Sequence, residues 1–283
     1  MSALAAVCCR SCGGTVRTVP GQAMPSCLFC GGAAADLVPA EPPEGIEPPV
    51  GAIPFAVAEA DARAAFARFA TSSFWYPSDL RSATLALRRL LLPAWAWSGS
   101  VETHWTGLVK AHTRSGKRPV AGSETTRMDQ VLVPASRTLR LPELTALGPY
   151  DEGALAAFDP EQAEVPIELS ELTRSAARGR AHEEMLARHR AAIERGQDLV
   201  HIRASSVTDG MEGRPVLVPV WIGAYRYGDR TYRILVNGQT GRLVGDAPFS
   251  WLKVAAVVGA VLALLSALAL FFTFVAAGLA ALS

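Results

Sequence analysis

All five cysteines fall within the first thirty residues, and four of them are spaced to grip a metal ion. Cys9-Arg10-Ser11-Cys12 and Cys27-Leu28-Phe29-Cys30 are matched Cys-x-x-Cys pairs, each followed by Gly-Gly, with fourteen residues between them. Such spacing makes a tight knuckle whose two thiolates face one point. The glycine that follows can take the left-handed backbone that closes the turn and leaves amides aimed at sulfur. Two knuckles supply four thiolates, the donor set that suits tetrahedral zinc. Cys9, Cys12, Cys27 and Cys30 are therefore the expected ligands of a structural Zn2+. A four-thiolate site leaves no open position for water, so the ion is expected to hold structure and not to catalyse. Cys8 could ligate only in place of Cys9, by lengthening the knuckle, and reads as a spare thiol.

Other constellations carry less. Of the five histidines, His182 and His189 lie seven apart and share a helix face, with no third ligand in their spacing; they read as packing or surface residues. There is no Gly-x-Ser-x-Gly elbow and no Walker A sequence. Asn237-Gly238-Gln239-Thr240-Gly241 invites comparison with a phosphate loop, but no Lys-Ser/Thr follows it and no helix opens from it. It is expected to be a tight hairpin turn. Glu183-Glu184 and Asp151-Glu152 read as solvated carboxylates. Arg226, Arg230 and Arg233 interleave with Tyr225, Tyr227 and Tyr232. That pattern fits either a small nucleic-acid or lipid-headgroup face or a strand with one wet side. No catalytic or cofactor-binding residue emerges beyond the metal ligands, and the chain reads as non-enzymatic.

These residues must be positioned by the rest of the chain, whose other end is its plainest feature. Residues 254–282 contain no charge, no proline and no amide side chain, and Ser266 and Thr273 are their only hydroxyls. Twenty-nine residues of helix span roughly 43 Å at about 1.5 Å each, and a bilayer core of ~30 Å needs about 20. A single transmembrane helix over 251–282, acting as a C-terminal anchor, is expected, with Trp251 at the interface. Arg242 and Lys253 precede it, so the positive-inside rule places the soluble part in the cytoplasm. Reduced, metal-binding cysteines belong on the same side. The N-terminus lacks the basic and apolar regions of a signal peptide.

The net charge of +1 is far from the strongly basic balance of a phosphate-gripping protein. Four stretches follow in order: a zinc ribbon over 1–38, a proline-rich linker over 39–52, an α+β domain over 53–246 and the apolar helix. Its five prolines, with Pro54 just beyond, stand among Glu41, Glu44 and Glu47 and suggest a stiff arm that holds the ribbon away from the domain; a loop wrapped on the domain is the alternative. The ribbon is too short to bury a core of its own, so the metal is expected to hold it folded.

Within 53–246 a pattern recurs. Ile53-Pro54-Phe55-Ala56-Val57 leads into a helix over 58–70, and Val165-Pro166-Ile167-Glu168-Leu169 into one capped by Ser170 that runs to about 195, with Leu172, Ala176, Met185, Leu186 and Ile193 inward. Leu90-Leu91-Leu92-Pro93-Ala94-Trp95 is echoed by Val216-Leu217-Val218-Pro219-Val220-Trp221. Two half-domains are inferred, each a helix on a small antiparallel sheet. Strands are expected over 90–97 and 101–113, joined by a Ser98-Gly99-Ser100 turn, then a charged loop over 114–122 and a strand over 130–134. Proline inside both Pro-x-Trp strands argues for edge strands or bulges, and both tryptophans read as core anchors.

At these residues the chain resembles a family of bacterial TFIIB-type zinc-ribbon membrane proteins, often mislabelled as primosomal helicase relatives. The matching pieces are the two Cys-x-x-Cys-Gly knuckles, Ile53-Pro54-Phe55, Phe74-Trp75-Tyr76-Pro77-Ser78-Asp79-Leu80, Leu92-Pro93-Ala94-Trp95, Leu132-Val133-Pro134-Ala135-Ser136, and the block from Leu217-Val218-Pro219-Val220-Trp221 through Val236-Asn237-Gly238-Gln239-Thr240-Gly241. The last block also resembles PepSY-like modules. The resemblance implies the four cysteines as zinc ligands, no catalytic residues, and partners among SPFH (flotillin-like) and phage-shock-type membrane-stress proteins. The expected function is a tail-anchored scaffold at the inner face of the cytoplasmic membrane. It would present the ribbon and the α+β domain to protein partners. A membrane-tethered nucleic-acid-binding or regulatory protein is the alternative. The ribbon's Arg10 and Arg17 against Asp36 favour protein over nucleic acid.

Overall fold

The computed structural model describes residues 6–280 apart from 20, 22, 23, 42, 113–115 and 161, and only the backbone over 273–280. Residues 1–5 of the ribbon, Pro42 of the linker, part of the expected 114–122 loop and positions 281–282 of the expected span lie outside the described residues. The elements in chain order are β1 (Ala6–Cys9), β2 (Thr15–Arg17), β3 (Leu37–Ala40), α1 (Glu59–Ala70), β4 (Leu85–Lys110), β5 (Lys117–Pro134), α2 (Leu141–Leu147), β6 (Ile167–Glu168), α3 (Arg174–Gly196), β7 (Leu199–Tyr227), β8 (Arg230–Asn237), β9 (Leu243–Gly245) and α4 (Trp251–Ala280). The fold is mixed α+β. Its strands form one sheet in the order β3-β1-β2-β6-β4-β7-β8-β9, with β5 added on β4.

The sheet is built around β4 and β7, which run antiparallel from Leu85 opposite Tyr225 to Val109 opposite Leu199. Through 90–97 and 216–222 both strands are apolar and buried on both faces, as central strands must be. Beyond Trp97 the pattern changes to alternation. Val101, Thr103 and Trp105 turn inward while Glu102, His104 and Thr106 face water. The inward row meets α3, whose buried residues Ala177, Ala181, Met185, His189 and Ile193 recur every four positions. The cap is Thr173, which accepts the Ala176 amide, not Ser170. Leu172, Met185 and Ile193 are buried as expected, while Ala177 faces in where Ala176 was expected.

Three strand expectations are corrected. Ser98-Gly99-Ser100 is not a turn: β4 continues through it as a bulge, with register shifts against both β5 and β7. Gly99 fits closely there, since an added Cβ would lie 3.2 Å from the Asp209 carbonyl oxygen. The charged loop is shorter than expected, since β5 begins at Lys117 and pairs residue for residue with the far half of β4. Pro93 and Pro219 sit in central strands, not at edges. Leu91 and Leu217 bond outward to other segments, Leu91 donating to the Pro166 carbonyl and Leu217 to that of Gly51. Two residues on, Pro93 and Pro219 each accept from the next outer segment, Ala135 N to Pro93 O at 3.0 Å and Gly238 N to Pro219 O at 2.8 Å. Each proline thus stands where its strand changes outer neighbour, and its missing N–H leaves no ladder bond broken.

The same pattern recurs on the two strands. Leu92 lies opposite Val218, with Leu91 opposite Pro219 and Pro93 opposite Leu217. Ala52 bridges Leu217 in parallel, and Ile167 bridges Leu91 in parallel. Trp221 donates its indole N–H to Val57 O at 2.9 Å, and Trp95 to Leu172 O at 3.2 Å. Each acceptor lies two residues before a helix, α1 in one case and α3 in the other. The helices pack crosswise: α1 places Ala62, Ala65 and Phe66 against Trp221, Tyr225, Ile234 and Val236 of the β7–β8 hairpin. Helix α3 packs against Trp95, Trp97, Val131 and Val133 of the β4–β5 hairpin. Neither helix lies on a separate sheet of its own.

The linker is laid along the body. Glu47 accepts both Arg174 Nε at 2.7 Å and Nη2 at 2.6 Å. Val50 donates to Pro215 O, and Ile53 to Leu217 O. The picture of an arm holding the ribbon away is therefore corrected: prolines stiffen the segment, and a stiff segment also lies well along the body. At the far end, the Asn237 turn joins β8 to β9 as the sequence suggested.

Candidate metal centre

The ribbon is a three-stranded sheet, β3-β1-β2; β1 ends in Cys8 and Cys9, and loops carry Cys12, Cys27 and Cys30. Its two knuckles are built alike. In the first, Gly13 donates to Cys9 O at 2.8 Å and Cys9 to Gly14 O at 3.0 Å; in the second, Gly31 donates to Cys27 O at 3.1 Å and Cys27 to Gly32 O at 2.9 Å. Gly13 and Gly31 have φ of +74° and +73°, the left-handed conformation the sequence called for. These turns bring the four expected sulfurs together. Cys9 Sγ lies 3.7 Å from Cys30 Sγ, and Cys12 Sγ lies 3.6 Å from Cys27 Sγ. All four lie within 4.8 Å of one another. A tetrahedron with Zn–S bonds of about 2.3 Å has S–S edges of about 3.8 Å, so the cluster has the size of a filled four-thiolate site. Cys9 and Cys27 are buried and Cys30 is exposed. Cys8 stays outside, directing its thiol to the carbonyls of Cys9 and Gly13.

The electrostatics suit a cation. Burial raises the Cys12 and Cys27 thiols, and at Cys12 the neighbouring sulfurs of Cys27 and Cys30 add to the effect. Burial also opposes ionisation of Cys9, but the amides of Cys12 and Ser11 point at its sulfur and bring it down to about 7. Four crowded sulfurs cannot all ionise without a positive centre, and a divalent ion supplies one. The Gly32 amide lies 3.4 Å from Cys30 Sγ as a further donor.

Two features of the site were not visible in the residue pattern. The first is docking. Strand β2 pairs with β6, Val16 opposite Glu168 and Arg17 opposite Ile167, so the ribbon joins the main sheet. Leu28 and Phe29, the residues inside the second knuckle, are buried in one cluster with Leu90, Leu92, Leu139 and Leu144 of the body. Each such side chain contributes on the order of 1.5–3 kcal/mol by burial. A ribbon too small for its own core therefore shares another. Gly14 makes room for this, since a Cβ there would lie 2.4 Å from the Phe29 ring.

The second is Glu168, 1% exposed at that junction. Ser136 Oγ donates to its Oε2, and Thr138 Oγ1 donates to Oε1 at 2.9 Å. Burial outweighs these donors and raises its carboxyl from 4.5 to about 7. The fold thus favours the protonated form. Its contribution is complete below the unfolded value and is lost as pH rises through the folded one, a change on the order of 3 kcal/mol. In paired denaturant titrations, Glu168→Gln should gain on the native protein as pH rises from 4.5 to about 7. A stability difference that stays flat over that window would contradict this assignment. Comparing the two proteins cancels the acid sensitivity of the thiolates.

The remaining candidates are absorbed by packing. His189 is buried, its Nδ1 2.8 Å from Thr103 Oγ1, and His182 Nδ1 lies 2.9 Å from Thr208 Oγ1. Tyr225 is buried and stacks on Tyr232 at 5.4 Å. Arg233 donates to Thr138 O at 2.8 Å and pairs with Glu143. Tyr225, Tyr232 and Arg233 are thus engaged within the body, and Tyr227 donates to Asp79, while Arg226 and Arg230 are exposed. Helix α4 is long and apolar enough to cross a membrane: over Trp251–Phe272 its mean hydropathy is 2.7 and none of it is buried. Comparison with family models, with curated proteins and with solved structures yields no match.

Proposed function

We propose that this chain is a non-enzymatic membrane scaffold. Cys9, Cys12, Cys27 and Cys30 hold one structural Zn2+, and α4 crosses the bacterial inner membrane once. The ribbon and body stand on the cytoplasmic side, where they recruit protein partners. The observation that carries the reading is the closed set of four sulfurs on a ribbon that shares a sheet and a core with the body. Such a site organises a surface and offers no reacting position. The cytoplasmic placement is supported by the thiolates, which persist in a reducing compartment. The resemblance to bacterial zinc-ribbon membrane proteins suggests SPFH-type and membrane-stress proteins as partners.

We further infer that the body is an internal duplication with exchanged helices. Ala52 and Ile167, Val57 and Leu172, and the first residues of α1 and α3 are each 115 residues apart and have matching partners. Trp95 and Trp221, like Pro93 and Pro219, are 126 apart. A local twofold axis through the Leu92–Val218 pair relates the two sets.

The test is crosslinking in membranes, followed by purification of the full chain from detergent. Discrete membrane-associated proteins should accompany the native chain and be lost from the Cys12→Ser/Cys27→Ser variant. Nucleic acid in their place would contradict the scaffold, as would the same proteins on both chains.

A further inference from the structure

The root of α4 carries a second apolar feature. Outside α4, the exposed phenylalanines and tryptophans among the described residues are Phe74, Trp75 and Phe249. All three gather at that root, beside Trp251, which is 78% exposed. They are separated in sequence by more than 170 residues, so the fold brings them together. The joining contacts are polar and specific. Lys253 donates its ammonium to Tyr76 O at 2.7 Å and Phe74 O at 3.1 Å. The same ammonium lies 5.3 Å from the centre of the Phe74 ring. The Ser250 amide donates to Trp75 O at 2.9 Å. The loop therefore moves with the first turn of α4 and is fixed at the level of Trp251.

From this we infer that the 74–76 loop is a membrane-interface foot. Phe74 and Trp75, with Phe249 and Trp251, lie in the headgroup region of the bilayer that α4 enters, and the body rests on lipid through them. The inference depends on α4 spanning a membrane. Three observations favour lipid as the occupant. The patch is continuous with a helix of membrane length. Its members are Trp and Phe, and Trp in particular favours the headgroup level, where one end of the ring is apolar and the other wet. The nearest cation, Lys253, has its charge held by loop carbonyls, so the rings present apolar surface outward. A body carried on α4 alone could swivel about its root; a foot beside the helix fixes its tilt, and with it the height of the ribbon above the lipid.

Trp75 and Trp251 can report separately, because the other four tryptophans are 1–7% exposed. The full chain would be reconstituted in phosphatidylcholine vesicles containing lipids brominated at shallow or deep acyl positions. Tryptophan emission is then compared in Trp251→Phe, Trp75→Phe and the double variant. Trp251→Phe should lose more emission than the double variant, and more to shallow than to deep bromines. If Trp75→Phe is quenched while Trp251→Phe matches the double variant, α4 is inserted and the foot is overturned. If neither single variant is quenched beyond the double variant, the spanning reading itself falls and takes the foot with it. Stronger quenching of Trp75 by deep bromines would overturn the interfacial placement.

Discussion

Asn237→Ala should be the most damaging single substitution in the body outside the large core side chains. Asn237 is fully buried and uses every polar atom of its side chain. Its Nδ2 donates to Leu147 O at 3.0 Å and to Pro149 O at 3.2 Å, while Oδ1 accepts from Gln239 N at 2.8 Å and Thr240 N at 3.0 Å. It joins the β8–β9 turn to the end of α2. Alanine would strand two carbonyls and two amides, and each unpaired buried group costs about 1–3 kcal/mol. Partial rescue by water brings the expected loss to about 3–5 kcal/mol. For a domain of this size that is a fall of roughly 10 °C in midpoint, read by calorimetry in detergent. Asn237→Asp keeps the acceptor but sets a carboxylate against two carbonyls, and it should be no better. A midpoint unchanged by alanine would show that the turn holds without its anchor.

The second large effect concerns the paired tryptophans. Trp221 is 3% exposed, meets Phe55 edge-on at 5.8 Å and lies 5.2 Å beneath the Arg89 guanidinium. Trp95 is 1% exposed, stacks on Trp97 at 5.8 Å and lies 5.1 Å beneath that of Arg174. Truncating either to alanine should cost ~3–5 kcal/mol. Because the two clusters share no side chain, the losses should add to within about 0.5 kcal/mol. Trp→Phe at either site keeps most of the ring but orphans Val57 O or Leu172 O, and it should cost about 1–3 kcal/mol. Denaturant midpoints of the four single variants and of the double alanine variant decide this. A large loss at one tryptophan beside a near-neutral change at the other would break the equivalence on which the inferred duplication rests.

The sequence made some of this legible and hid the rest for physical reasons. The cysteine knuckles and the apolar helix are local signals: a metal site of two turns and a membrane-length run each announce themselves within a few residues. The tryptophans were legible as core anchors and the Asn237 segment as a turn, because composition and turn chemistry are also local. What Asn237 bonds to, some 90 residues away, was not. Nor was the length of β4, because Ser-Gly-Ser satisfies a turn and a bulge equally, and only the unbroken partner β7 decides between them. The prolines misled for the same reason: a missing N–H is harmful only if an acceptor faces it, and that depends on where the outer strand changes. The recurring apolar runs suggested a repeat, and the register of the inferred duplication differs from the one those runs suggest. The motif aligns Ile53 with Val165, whereas the bonding pattern matches Ala52 with Ile167. The docking of the ribbon through β2 and β6 left no mark beyond Leu28 and Phe29, two apolar residues in a knuckle where water-facing ones would have served a free ribbon.

The central claim is that four thiolates hold one metal ion and that the ribbon depends on it. The direct measurement is the zinc content of the purified full chain in detergent, set against protein concentration. One zinc per chain is the predicted result, with none in Cys12→Ser/Cys27→Ser and an unchanged value in Cys8→Ser. A native chain without metal would contradict the claim, and so would a double variant that keeps its full complement.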